Sequence, residues 1–272
     1  GDSRHPLLYL IISSVINIVL DLILIAGFHM GVGATAFATA FSQMISAVLC
    51  MIRLIRTKED YHLEVRKIRF QGSMLGRIIR FGLPSGFQNS IIGFANVVVQ
   101  SYINYFGEMA MAGAGAYSKI EGFAFLPITS FTMALTTFVG QNLGAGDYER
   151  TQKGARFGTI CSLIIAELIG VIIYIFAPQL IAAFDHTPEV ITFGAGRARA
   201  CALFYCLLAF SHAIAAILRG AGKAIVPMLI MLAFWCIIRV SILAVSSMFC
   251  RTIATVNWVH PITWSLSSIA FL

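Results

Sequence analysis

From Leu7 to Ala26 the chain runs through about twenty residues that are almost all apolar, and runs of this kind recur along its length. About twenty apolar residues carry an α-helix across the ~30 Å hydrocarbon core of a bilayer. Inside that core only helices and closed barrels satisfy their own backbone hydrogen bonds. The composition agrees: 58% of the residues are hydrophobic and 11% charged, against about 25% charged in a soluble domain. The expected fold is an all-α polytopic membrane protein.

Eight spans are expected, at about 6–27, 32–52, 81–105, 109–138, 157–177, 190–217, 226–249 and 257–272. The long hydrophilic stretch between the second and third holds Arg53, Arg56, Lys58, Arg66, Lys67, Arg69, Arg77 and Arg80. The positive-inside rule makes it cytoplasmic. With the spans alternating from there, Arg4, Arg150, Lys153, Arg156, Arg219 and Lys223 also fall inside, fourteen basic residues in all. Arg197, Arg199 and Arg251 fall outside, and Lys119 and Arg239 lie within spans. The net charge of +7 is therefore a topology signal and not a nucleic-acid surface.

A short echo links the two halves. Gly1-Asp2-Ser3-Arg4-His5-Pro6 leads into the first span, and Gly222-Lys223-Ala224-Ile225-Val226-Pro227 into the seventh. Six spans apart, these starts predict two parallel six-helix repeats, the architecture of a two-lobed transporter. The chain would then hold the last two helices of one lobe (1–52), a basic cytoplasmic linker (53–80) and a second lobe (81–272) with a truncated last helix. It opens at Gly1 without an initiator Met and stops at Leu272 inside an apolar run. Both ends are expected to be cut from a longer protein, with about four helices missing in front.

Little points to an enzyme. The six cysteines, at 50, 161, 201, 206, 236 and 250, form no CxxC pair and read as small apolar helix residues. The six histidines form no HxxxH or HExxH, so no metal site is expected. No nucleophile–base pair stands out.

Polar groups inside the spans carry the functional signal. A carboxylate at a helix centre in hydrocarbon costs roughly 2.5–3.5 kcal/mol, so Asp21 must be paired or functional. Asn17, four residues earlier, shares its helix face. The alternative is that Asp21 snorkels to the membrane surface. Asn89, Asn96, Gln100 and Asn104 form a stripe about 80° wide on the third span. It suits either a central cavity or hydrogen bonding between helices. Lys119 and Glu121, two apart, face opposite sides of the fourth span. Depth allows Glu121 to meet Arg239 as a structural pair, and Glu121 could equally serve substrate or proton. Glu167 has no evident partner. Phe123, Phe125, Phe204, Tyr205 and Phe210 could line a drug cavity, but such residues are usually helix packing or lipid contact.

Three motifs resemble those of MATE (multidrug and toxic compound extrusion) transporters. They are Gly140-Gln141-Asn142-Leu143-Gly144-Ala145-Gly146 running on to Arg150, Leu218-Arg219-Gly220-Ala221-Gly222-Lys223, and Phe81-Gly82-Leu83-Pro84-Ser85-Gly86. The first span, with Asn17 and Asp21, resembles the family's fifth helix. The likeness covers essentially the whole chain, as helices five to twelve of twelve. It implies a secondary antiporter in a cell membrane, of the bacterial inner-membrane kind. Organic cations or drugs would leave in exchange for Na⁺ or H⁺. It implies a cation site of Asp21, Asn17 and Thr39, completed by an Asp on a first helix that this chain lacks. Asp21 and Thr39 each lie roughly 8–10 Å from the outer ends of their spans, at ~1.5 Å per residue, so they could face each other. A cation-binding Glu that some members carry on the helix starting at Phe81 has no counterpart here. The Gly-rich motifs read more simply as tight turns, with Arg150 and Arg219 meeting anionic lipid head groups. No cofactor and no obligate protein partner are implied. A lipid-linked oligosaccharide flippase of the same broad fold is the alternative, kept open by Lys119 and Arg239, and an inactive fragment is another.

Overall fold

Backbone groups in hydrocarbon have no water to bond, so the apolar runs close their own hydrogen bonds as helices. The computed structural model describes residues 4–59, 61–249 and 252–272, apart from the side chain of Phe81. Gly1, Asp2 and Ser3 of the expected echo, together with Cys250 and Arg251, lie outside the described residues. All regular structure among the described residues is helical. The chain divides into two compact units, Gly1–Gln71 and Gly72–Leu272.

The first unit is a helix pair. α1 (Arg4–Asp21) runs on through a π-helical stretch (Leu22–Gly27), and α2 (Val32–Arg56) follows. Ala34, Ala38, Ser42 and Ser46 are the buried residues of α2. Spaced by four, they form a stripe of small side chains that lets the two backbones approach. Ser13 Oγ donates to the Ser42 carbonyl at 2.7 Å and stitches the pair together.

The second unit holds α3 (Gly72–Asn104), α4 (Glu108–Gly144), α5 (Tyr148–Ala182), α6 (Pro188–Ala202) and α7 (Tyr205–Gly220). α8 (Ile225–Leu232), a second π-helical stretch (Ala233–Ile238) and α9 (Arg239–Phe249) form one continuous rod, and α10 (Ile253–Ala270) closes the chain. Each of the eight expected spans falls on a helix or a helix pair. Five of these helices are long and apolar enough to cross a membrane, and α6 with α7 makes a sixth. α3 and α10, which bring polar residues to the interior, fall below that mark.

The structure departs from the sequence reading in two ways. α3 begins at Gly72 and not near residue 81, because a helix continues past the hydrocarbon edge once its charged side chains reach water. And the span at 190–217 is broken: α6 and α7 meet at 54° across Leu203 and Phe204.

That break explains Glu167. A broken helix exposes unpaired N–H groups at its new N-terminus. The Cys206 N–H, in the first turn of α7, donates to Glu167 Oε2 at 3.1 Å. The carboxylate thus caps α7 where its dipole favours negative charge. Beside it, α5 comes so close to the break that a Cβ on Gly170 would collide with the Ala202 carbonyl oxygen.

The two Gly-rich motifs share one geometry. Asp147 N donates to the Asn142 carbonyl and Gly146 N to that of Leu143. Likewise Lys223 N donates to Leu218 and Gly222 N to Arg219. Both are Schellman caps, with Gly146 at φ +77° and Gly222 at φ +80°. Asp147 Oδ1 then accepts from Arg150 N and starts α5.

The break yields two tests, each read as thermal stability in detergent. Gly170→Ala should cost about 1–3 kcal/mol by overpacking the α5–α6 contact. Glu167→Ala should cost about 1.5–3 kcal/mol, the worth of a hydrogen bond to a charged group. Glu167→Gln, which keeps an acceptor, should recover most of the second loss.

Candidate functional site

The first polar cluster lies in the helix pair. Asn17 Nδ2 donates to Thr39 Oγ1 at 3.5 Å, joining α1 to α2. Asp21 follows one turn after Asn17, and its Oδ1 is buried with no hydrogen-bond partner. The π-helical stretch starts at the next residue, Leu22. Such stretches are frequent at functional sites. Carboxylate, amide and hydroxyl together supply hard oxygen donors of the kind that hold a small cation. The structure joins Asn17 to Thr39 directly and leaves one Asp21 oxygen unmatched.

The second cluster lines a cavity of about 430 Å³ within the second unit. Asn89, Asn96 and Gln100 reach it from α3, and Glu121 from α4. Asn104 instead accepts from Gln100 Nε2 at 2.9 Å and stays outside the lining. Arg239 enters from the start of α9, directly after the second π-helical stretch. It is 2% exposed. Its Nε and Nη2 donate to Thr263 Oγ1 of α10, and its Nη1 donates to Asn96 Oδ1 at 3.3 Å. Its guanidinium stacks over Trp235 at 5.4 Å.

Three expectations change here. Glu121 and Arg239 share the cavity but form no direct ion pair; Glu121 accepts from Tyr117 Oη at 3.1 Å, and each Arg239 nitrogen donates to Thr263 or Asn96. Lys119, placed within the fourth span, lies outside the cavity lining. It is exposed, with its ammonium over the Phe184 ring at 5.1 Å beyond the end of α5. Arg197, assigned to an outside segment, is buried in α6 and lines the cavity. Its guanidinium lies 5.5 Å over the Tyr117 ring.

Arg197, His212, His260, Thr263 and Trp264 were not singled out by sequence. Arg197 did leave a trace. Val190, Gly194, Arg197 and Cys201 follow at steps of four, three and four, one buried face of otherwise small or apolar residues. Neither histidine had such a signal. His212 is set between Phe125 at 5.6 Å and Trp235 at 5.3 Å, contacts that cross three helices.

Comparison with known proteins places the chain in a family. The MatE family pattern matches residues 84–245. The chain is 26% identical over 243 residues to the probable multidrug resistance protein YoeA of Bacillus subtilis, covering 86% of this chain and 52% of that one. It is 29% identical over 234 residues to the probable multidrug resistance protein NorM of Thermotoga maritima, covering 85% and 50%. The chain therefore spans about half the length of these curated relatives. Its fold is similar to an outward-facing multidrug resistance MATE family transporter of the MOP superfamily. There the TM-score is 0.90 at 21% identity, over 99% of this chain and 61% of that one. The chain belongs to the MATE family, whose members are transporters and not enzymes.

Proposed function

We propose that the full-length protein is a secondary active antiporter that exports organic cations and drugs in exchange for Na⁺ or H⁺. The observation that carries this reading is the unmatched Asp21 oxygen beside the Asn17–Thr39 contact. Asp21, Asn17 and Thr39 would take the coupling ion. The basic stretch between α2 and α3 would face the cytoplasm. Helices α1 and α2 would belong to one lobe and α3 to α10 to the other.

A charged carboxylate at membrane depth costs roughly 2.5–3.5 kcal/mol. Binding a proton or Na⁺ removes much of that cost, enough for about a hundredfold shift between two conformations. In the outward-open state the ion binds, α1 repacks and substrate leaves. The lobes then rock and the sites reload from inside. Coupling requires that ion and substrate each prefer a different state.

A second reading, a flippase for lipid-linked oligosaccharides, draws support from the buried Arg197 and Arg239. Inverted vesicles separate the two: an antiporter takes up a fluorescent organic cation when an ion gradient is imposed, whereas a flippase moves a labelled lipid.

In the full-length protein, Asp21→Asn should abolish gradient-driven uptake in those vesicles while membrane expression stays unchanged. Uptake at the wild-type rate in that variant would remove Asp21 from the coupling mechanism.

A further inference from the structure

The cavity of the second unit collects buried nitrogens that have no hydrogen-bond partner. Arg197 Nε and Nη1, Trp264 Nε1, His212 Nε2 and His260 Nδ1 are all buried without a partner, and all four residues line it. The Arg197 and Trp264 nitrogens are donors in every protonation state. Arg197 is 8% exposed and Trp264 2%, so neither is a surface group.

Charge points the same way. Two guanidinium groups line the cavity against one carboxylate, Glu121. The Arg239 donors are occupied by Thr263 and Asn96. Glu121 accepts from Tyr117 and makes no ion pair with either arginine. Two of the three Arg197 nitrogens, Nε and Nη1, therefore stay without a partner. The Arg197 Nε and Nη1 face different sides of the guanidinium, so each offers a separate charge-assisted hydrogen bond to an anionic oxygen. The cavity volume, about 430 Å³, lies within the range of small-molecule sites.

We propose that this cavity is an oxyanion site, in which Arg197 and the Trp264 N–H hold a carboxylate or phosphate of the transported molecule. This rests on the exporter reading and narrows it: the cargo is an organic cation that also carries a carboxylate or phosphate, an amphiphile with an aromatic or aliphatic body. Glu121 offsets one of the two arginine charges and so tunes how strongly the anion is held.

The test is equilibrium binding by calorimetry to the full-length protein in nanodiscs, with no ion gradient. The probes share one ring system: 2-naphthyl phosphate, 2-naphthoate and 2-naphthyltrimethylammonium. The two anions should bind at least tenfold more tightly than the ammonium. Arg197→Gln and Trp264→Phe should each weaken the phosphate at least tenfold, and Glu121→Gln should tighten it severalfold. If Arg197→Gln fails to fold, Trp264→Phe and Glu121→Gln carry the test. Nanodiscs doped with phosphatidic acid identify the source. Displacement of the naphthyl phosphate marks a lipid head group, and persistence marks a soluble anion. The proposal is overturned if the ammonium binds more tightly, if no probe binds, or if the folded variants leave phosphate affinity unchanged. Binding needs no transport, so failure here and failure of the Asp21 coupling test are separate results.

Discussion

A polar group withdrawn from water must find a partner inside the protein, and that requirement organises this chain from end to end. It makes the apolar runs helical. It sends Ser13 Oγ to the Ser42 carbonyl and the Cys206 N–H to Glu167. It also draws the Ser211 hydroxyl to Ser267 and Ser268, with the Trp235 N–H donating to Ser267. Arg239 shows the rule at its most demanding, since a buried guanidinium needs a partner for each nitrogen and obtains them from Thr263 and Asn96. Groups that break the rule stand out against this background. One Asp21 oxygen and two Arg197 nitrogens are buried and unmatched. Each is what a ligand would complete.

Most of the architecture was legible because a membrane helix writes itself into the sequence as a long apolar run. The Gly-rich motifs were legible too, and their plain reading as tight turns matches the paired Schellman caps at Gly146 and Gly222. The break between α6 and α7 was not legible. No proline or glycine marks Leu203 and Phe204. The kink is upheld from outside its own segment, by the Glu167 carboxylate and by the room left at Gly170.

The candidate sites divide along similar lines. Asn17 and Asp21 could be picked out because they share one helix face inside an apolar run, and Thr39 because the family resemblance implies a hydroxyl on the next helix. The second cavity depends on side chains from helices far apart in sequence. Counting basic residues by segment therefore put Arg197 outside, although it lies buried against Tyr117. Depth alone suggested a Glu121–Arg239 pair. Depth fixes height in the membrane but not azimuth, and Asn96 and Thr263 take the Arg239 donors instead.

Coupling depends on neutralisation of the Asp21 carboxylate, by protonation or by pairing with Na⁺, when the ion binds. Infrared difference spectroscopy of the full-length protein, with isotope-labelled aspartate, reads that change directly as the coupling ion is added and withdrawn. The expected result is an aspartate band that Asp21→Asn removes: a protonated-carboxyl C=O stretch if the ion is H⁺, or a displaced carboxylate stretch if it is Na⁺. A difference spectrum with no contribution from Asp21 under either ion would contradict the account.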